Sequence, residues 1–445
     1  MSITLNIIHK IYQSKSLGGK LMRKQLKVAI SLVCLMMFIG CSASPVSQQT
    51  TKITLLNSKS EIKTQLEEVA KQYNQEHPEV SLEIITAPEG TSAYQKLMSM
   101  YGSGSPATMS MLDPGDTQTF LDKAVDLSKE KWVADTIENG LDAVKKNDAV
   151  LGFPFAVEGY GLIYNKKVLD KATGGSFDPS SVKSRSNLNS LMAKIQKTGV
   201  APVMLSPMDW SLGSHLLALS YSVQPVGFPE FVKGMQDNSI DMSQNNVMSG
   251  WVQTLDLLKN NSINKNSPLD STYDDGAKAL GEGKVGLWFM GNWAWAGIKS
   301  NDTANEEYGF LPLPLSDNTD DPNNAKITVG VTKYIFIDST ATTPQEQEEA
   351  KKFLNWLVYD KSGQDFLVNK ANTVPAFKNI DLEPADPLGR SIKSYISTGK
   401  TLPFMATLPP DHAAITGASI QSYLSGKIDK AELLRQIRIY WKAQQ

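Results

Sequence analysis

Cysteine is scarce in this chain, with Cys34 and Cys41 as the two cysteines among 445 residues. Both lie near the amino terminus, so the roughly 400 residues that follow contain no disulfide and no thiolate metal ligand. That remainder must therefore be stabilised by the size of its hydrophobic core. Its length exceeds one comfortable core, which predicts two domains or lobes.

Histidine and long apolar runs are also scarce. Three histidines follow residue 40, at His77, His215 and His412, and their spacing is not that of a zinc site. No apolar run after residue 40 approaches the length of a transmembrane helix. We therefore expect no metal, no cofactor and no membrane span in this part of the chain.

Basic charge is not in excess either. Residues 1–40 carry six of the 44 basic residues and none of the 46 acidic ones, so the remainder has a net charge of −8. An acidic protein repels the phosphate backbone, which argues against nucleic acid as a partner.

The amino-terminal segment has the composition of an export signal. Basic residues at Arg23, Lys24 and Lys27 precede an apolar stretch that is too short to span a bilayer and ends at Gly40-Cys41. This pattern is typical of a bacterial lipoprotein signal. We expect residues 1–40 to be a leader, with translation starting at Met22. A lipid on Cys41 would then hold the protein at the outer face of a Gram-positive membrane through a tether over 41–50.

The rest of the chain alternates between strand and helix patterns. Residues 53–56 predict a short buried strand, and residues 80–85 predict the next strand. Between them the pattern predicts an amphipathic helix with Ser58 and Glu61 as its capping box. Similar alternation continues to the carboxyl terminus. This order predicts an α/β fold with mainly parallel sheets, whose ligands bind at the carboxyl ends of strands.

Three segments carry a family resemblance. They are, in chain order, residues 153–166 (FPFAVEGYGLIYNK), 283–295 (GKVGLWFMGNWAW) and 350–377. The same order is found in the extracellular solute-binding lipoproteins of carbohydrate ABC importers, the maltose- and multiple-sugar-binding group. The chain resembles these proteins. The resemblance implies a two-lobed periplasmic-binding-protein-like fold of type II with an interlobe cleft. It implies a first lobe over 50–155 and 305–345 and a second over 160–300 and 350–445.

The resemblance also implies a function. Such a protein closes on an extracellular sugar, here expected to be an oligosaccharide, and delivers it to the permease of an ABC transporter; we expect a monomer and not an enzyme. Two other classes share the ingredients of a sugar cleft. A cell-surface glycoside hydrolase would use paired carboxylates, and an adhesin would bind sugar without a transport partner.

Aromatic side chains are the first candidates for the site, because sugars present C–H faces that stack on rings. Trp293 and Trp295 alternate around Ala294 after a predicted strand, so both are expected on the same side of an extended segment, with Asn292 beside them as a hydroxyl partner. Trp210 stands at a strand-to-helix turn. The tryptophans assigned to the core are Trp251, Trp288 and Trp356.

Carboxylates are the second group of candidates, because they form strong hydrogen bonds with sugar hydroxyls. Asp113 and Asp116 end a predicted strand, and Glu89 follows an earlier one. The resemblance places Glu158 and Tyr160 in the crossover between lobes, facing the cleft. It also places His412 near a position that holds a stacking aromatic in the maltose-binding branch.

Overall fold

The protein is described by a computed structural model covering residues 50–87, 91–305, 307–405 and 408–444. The leader, Cys41 and Glu89 lie outside these residues. Residues Thr51–Gln445 form one compact unit. Its strands are β1 (Thr51–Asn57), β2 (Val80–Thr86), β3 (Met109–Leu112), β4 (Lys145–Lys146), β5 (Ala149–Val150), β6 (Phe153–Asn165), β7 (Ala201–Met204), β8 (Val285–Gly291), β9 (Tyr308–Leu311), β10 (Ile327–Ile337) and β11 (Thr401–Pro403).

Nine of these strands form a mixed sheet in the described residues. Its main path runs β2-β1-β3-β10-β6-β8-β7, with β9 paired to β6 and β11 paired to β10. The pairs β1·β2, β1·β3, β7·β8 and β10·β11 are parallel. The two long strands β6 and β10 are antiparallel to each other and to their other main neighbours. They join the parallel strands of the amino-terminal part to those of the middle of the chain.

Helices cover the sheet. They are α1 (Lys63–Glu76), α2 (Ala93–Gly102), α3 (Pro114–Gln118), α4 (Trp132–Asp135), α5 (Lys166–Thr173), α6 (Arg185–Lys197), α7 (Ala218–Ser222), α8 (Phe228–Gln236), α9 (Asn246–Asn261), α10 (Tyr273–Gly281), α11 (Trp295–Asn301), α12 (Pro344–Tyr359), α13 (Lys361–Asp365), α14 (Pro387–Ser397), α15 (His412–Leu424) and α16 (Lys430–Ala443). A π-helical segment, Trp210–Leu217, leads directly into α7. In the described part of the chain, no helix is both long and apolar enough to span a bilayer.

Two large hydrophobic clusters form the core. The first contains strands β1 to β3 with α1 and α12, and the second packs α6, α9 and α16 around the other end of the sheet. Trp251, Trp288 and Trp356 are buried in these clusters, as predicted. Helices α12 and α16 begin at side-chain caps, because Thr343 and Asp429 each accept the backbone N–H three residues on.

The capping box predicted at Ser58 and Glu61 is wrong. A short 3-10 turn over Ser60–Ile62 precedes α1, and the Ser58 hydroxyl caps neither element. Its oxygen has no partner among the described residues, and Glu61 instead forms an ion pair with Lys59. This leaves Ser58 and its neighbours at the end of β1 available to line a cavity.

Candidate ligand-binding site

A cavity of about 660 Å³ opens beside the carboxyl ends of β1, β3, β7 and β8. This is where an open α/β sheet offers backbone and loop groups to a ligand, and the volume is within the range of small-molecule sites. The lining comes from many separate segments: 58–61, 113–116, Glu158, Met208, Trp210, Ser214, His215, 272–274, Trp293, Thr332, Lys333, Phe404, Met405, 408–410 and Ala413.

Aromatic rings form one side of the cavity. We define the aromatic wall as Trp210, His215, Tyr273, Trp293 and Phe404. The ring centroids of Trp210 and Trp293 are 6.2 Å apart, and those of His215 and Trp293 are 5.2 Å apart. Tyr273 lies 6.5 Å from Trp210 and donates a hydrogen bond of 3.3 Å to the backbone oxygen of Trp293. Because Trp210, Tyr273 and Trp293 remain partly exposed, the wall offers apolar surface to a ligand.

The position of Trp293 depends on Gly291. A Cβ atom at residue 291 would lie 2.1 Å from the Trp293 ring, because this ring occupies the space that a side chain at residue 291 would fill. After Gly291 the chain turns through a 3-10 segment over Asn292–Ala294. The glycine at the end of β8 is therefore required for the Trp293 orientation.

Replacing Gly291 with alanine should displace the Trp293 ring from the wall. Overpacking of this kind costs about 1–3 kcal/mol of unfolding free energy, and we expect ligand affinity to fall as well. Urea denaturation and calorimetric titration measure the two effects. Gly175→Ala is the matched control, because a Cβ there meets nothing within 4 Å. Equal affinity in the two variants would contradict the role given to Gly291.

A buried lysine lies at the base of the cavity. The Nζ of Lys59 is 2.8 Å from Glu158 Oε1 and 2.7 Å from Glu61 Oε1, with the lysine and Glu158 each 2% exposed. Thr332 donates a hydrogen bond to the other oxygen of Glu158. Burial by itself lowers the pKa of Lys59, but the two carboxylates outweigh it and hold that pKa above its ordinary value. Lys59 is thus a permanent cation that links β1 to the crossing strands β6 and β10.

An irregularity in β10 supplies two further side chains. The pairing register with β6 shifts on both sides of Lys333. Consecutive residues of a regular strand point to opposite faces, yet Thr332 and Lys333 both line the cavity. A bulge redirects side chains in this way. It brings Lys333 to the carboxylate of Asp113, with which it forms an ion pair.

Asp116 and His215 are two further titratable groups in the cavity whose pKa values are displaced. Burial, together with the negative charge of Asp113, raises the pKa of Asp116 to about 6, although Lys333 opposes this. Burial lowers the pKa of His215 to about 3, so its imidazole is neutral near pH 7. Asp113 and Lys333 also act on this pKa, so the ion pair lies within electrostatic reach of the aromatic wall.

The raised pKa of Asp116 predicts a pH-dependent stability. Its pKa in the native state, about 6, exceeds the ordinary value of 3.8, so the native protein binds this proton more tightly than the unfolded chain does. The native state therefore gains stability as pH falls from about 6 to 4, and bears the cost of the ionised carboxylate above pH 6. Asp116→Asn removes that cost and should add about 1–2 kcal/mol at pH 7.5, discounted for partial exposure.

Urea denaturation at several pH values tests this prediction. The gain of Asp116→Asn over the wild type should disappear near pH 4. Asp148→Asn is a matched control, because Asp148 is exposed and lies outside the cavity. A variant less stable than the wild type at pH 7.5 would contradict the account.

The candidate residues predicted from the sequence divide into those that line the cavity and those that do not. Asp113, Asp116, Glu158, Trp210 and Trp293 line the cavity together. Glu89 lies outside the described residues and stays a prediction.

Tyr160 and Asn292 require correction, since neither lines the cavity. The ring of Tyr160 stacks on His215 at 4.5 Å and is buried behind the wall. Asn292 is fully buried: its Oδ1 accepts a hydrogen bond of 3.0 Å from the Gly159 N–H, and its Nδ2 donates one of 2.8 Å to the Asn372 oxygen. Both side chains support the strands behind the site.

Trp295 and His412 are corrected as well. The segment around Trp295 is not extended but begins helix α11, so Trp295 no longer shares a side with Trp293 and packs against Tyr308 at 5.6 Å. His412 starts α15 with its ring in the core, 5.7 Å from Tyr221 and 5.3 Å from Trp441. Burial lowers the pKa of His412 to about 3, as expected for a neutral core imidazole.

Sequence reasoning missed several lining residues, above all Lys59, His215, Tyr273, Thr332 and Phe404. Lys59 had a usable signal, since it stands two residues after the carboxyl end of the strand β1. The other residues come from a helix, a helix start, a bulge and a late loop, and no local pattern marks them.

The arrangement of an α/β sheet with a polar and aromatic cavity at its strand ends defines a small-molecule binding protein. A family model described as "Bacterial extracellular solute-binding protein" matches residues 68–388. The chain belongs to this family. The family's extracellular description agrees with the predicted extracytoplasmic location.

Individual relatives agree with this assignment. The multiple sugar-binding protein of Streptococcus mutans is 23% identical over 382 residues, which cover 81% of this chain and 86% of the relative. An uncharacterised ABC transporter extracellular-binding protein of Pyrococcus horikoshii is 22% identical, over 75% and 73% of the two chains.

Solved structures share the fold. RafE, which is known from Streptococcus pneumoniae, superposes in its raffinose complex with a TM-score of 0.71 at 18% identity, covering 88% of this chain and 99% of that one. A chitin oligosaccharide binding protein gives 0.72 at 19% identity, over 89% and 99%. These similarities confirm the predicted fold class. The bounds of the two lobes stay a prediction.

Proposed function

We propose that this protein binds an extracellular oligosaccharide in the cavity and delivers it to the permease of an ABC transporter. The observation that carries the proposal is the aromatic wall in the same cavity as Asp113, Asp116 and Glu61. Rings cover the apolar faces of sugars, and carboxylates accept hydrogen bonds from their hydroxyls. The volume of about 660 Å³ is enough for several sugar rings to enter at least in part.

The relatives support a sugar as the ligand. Their names and titles refer to multiple sugars, to raffinose and to chitin oligosaccharide, although these differ too much from one another to identify the sugar bound here. An ABC transporter is named for one of them. Together, these names support an oligosaccharide as the ligand and an ABC transporter as the partner.

Delivery requires a conformational change, which we propose to be a hinge motion between two lobes. We place the hinge at β6 and β10, which join the two sets of parallel strands, so that β1–β3 belong to the first proposed lobe and β7 and β8 to the second. A ligand that contacts both lobes favours the closed state by its extra contacts. Asp113 lies in the first proposed lobe and Trp293 in the second.

Location and assembly complete the proposal. A lipid on Cys41 and a tether over 41–50 would hold a monomer at the outer face of the cell membrane, within reach of a permease. The support for the anchor is the sequence pattern around Cys41.

Calorimetric titration of the compact unit Thr51–Gln445 with α- and β-linked di- to tetrasaccharides tests the proposal, with chromatography of each mixture afterwards. Tight binding of one sugar that is recovered intact is the expected result. Cleavage would instead indicate a glycoside hydrolase. Absence of binding to every sugar would contradict the proposal.

A further inference from the structure

The charges of the cavity are unequal. Among the described residues that line it, there are five acids and two lysines: Glu61, Asp113, Asp116, Glu158 and Asp274 against Lys59 and Lys333. The one lining histidine, His215, is neutral near pH 7, because burial lowers its pKa to about 3.

Both lysines are already paired. Lys59 is held between Glu61 and Glu158, and Lys333 forms an ion pair with Asp113. A ligand carboxylate would have to break one of these pairs or remain unpaired in an acidic cavity, and both are unfavourable. Among the described residues of the lining, no cation is therefore available to an anionic sugar.

One carboxylate inside the cavity has no lysine of its own. Asp116 is partly buried beside Asp113 and forms no ion pair among the described residues, whereas Asp274 is exposed at the rim. The Asp113–Lys333 pair next to Asp116 lies within electrostatic reach of His215 in the aromatic wall. Rings of tryptophan and tyrosine attract cations through their faces, so the wall and Asp116 favour the same charge on a ligand.

We propose that this cavity takes oligosaccharides that carry a protonated amino group, with the carboxylate of Asp116 accepting the ammonium, and disfavours sugars that carry a carboxylate. This rests on the proposed function and specifies its ligand. An ammonium at Asp116 would form the ion pair that no lysine of the described residues forms with this carboxylate, whereas neutral hydroxyls would bind there less strongly.

The test compares three ligands of equal length and linkage: the β-1,4-linked trimers of glucosamine, glucose and glucuronate. Each is titrated at about pH 6.5 into the wild type, Asp116→Asn and the exposed control Asp148→Asn. We expect the glucosamine trimer to bind about tenfold more tightly than the glucose trimer, a modest effect for a partly dehydrated charge pair, and the glucuronate trimer to bind most weakly. Asp116→Asn should abolish the tenfold preference, and Asp148→Asn should keep it.

Three results would overturn the inference while leaving sugar binding intact. These are glucuronate binding as tight as that of glucose, a glucosamine preference that survives Asp116→Asn, and no glucosamine binding when a neutral sugar of the wider panel binds. Absence of binding to every sugar would overturn both proposals. Since Asp116→Asn is expected to be more stable than the wild type, its melting temperature verifies that the variant is folded.

Discussion

Lys59→Met should destabilise the protein by about 3–5 kcal/mol, the usual cost of removing one partner from a buried ion pair. The substitution keeps an unbranched apolar side chain and removes the terminal ammonium. It leaves the carboxylates of Glu158 and Glu61 without the ammonium that lies 2.8 and 2.7 Å from them. Urea denaturation followed by circular dichroism measures the loss.

Two further variants separate charge from packing. Adding Glu158→Gln to Lys59→Met removes one of the two charges left unpaired and should restore part of the stability, because a neutral amide needs no cation. Lys71→Met, at an exposed position outside the cavity, should change stability by less than about 0.5 kcal/mol. If Lys59→Met lowered the stability no more than Lys71→Met does, the structural role of the buried lysine would be contradicted.

Trp293→Ala should weaken sugar binding about ten- to hundredfold. Stacking of a base on an aromatic side chain contributes about 1–3 kcal/mol, and we use this as a guide for a sugar on the same kind of ring. Trp293→Phe should retain part of the affinity because a ring remains. Calorimetric titration with the sugar that binds most tightly gives the values.

The neighbouring tryptophan is the control for this effect. Trp295 lies two residues away but packs against Tyr308 outside the cavity. Trp295→Phe should therefore lower the melting temperature with little change in affinity. If Trp295→Phe weakened binding as much as Trp293→Ala does, the aromatic wall would be placed wrongly.

The local elements of the fold could be predicted from sequence because their signals are local. The largely buried strand β1 contains a short apolar run, and α12 has its cap, its proline and its glutamate in four consecutive residues. The prediction that ligand groups stand at strand ends also placed Asp113 and Trp210 at the cavity. Periodicity and the geometry of parallel sheets are sufficient for these conclusions.

The errors arose where a side chain direction depends on distant contacts. Trp293 and Trp295 would share a side in an extended chain, but the turn over Asn292–Ala294 and the start of α11 separate them. Lys59 is a charged residue with no local sign of burial, and its partner Glu158 is 99 residues away. Such long-range pairing sets the charge of the cavity and is not visible in local sequence.

The central claim is that a sugar binds between the aromatic wall and the carboxylates. A crystal structure of the protein with the tightest-binding oligosaccharide tests it most directly. The account predicts a sugar ring packed against Trp293 or Trp210, with hydroxyl or amino groups within hydrogen-bond distance of Asp113 or Asp116. A sugar bound elsewhere on the protein, with this cavity filled by solvent, would contradict it.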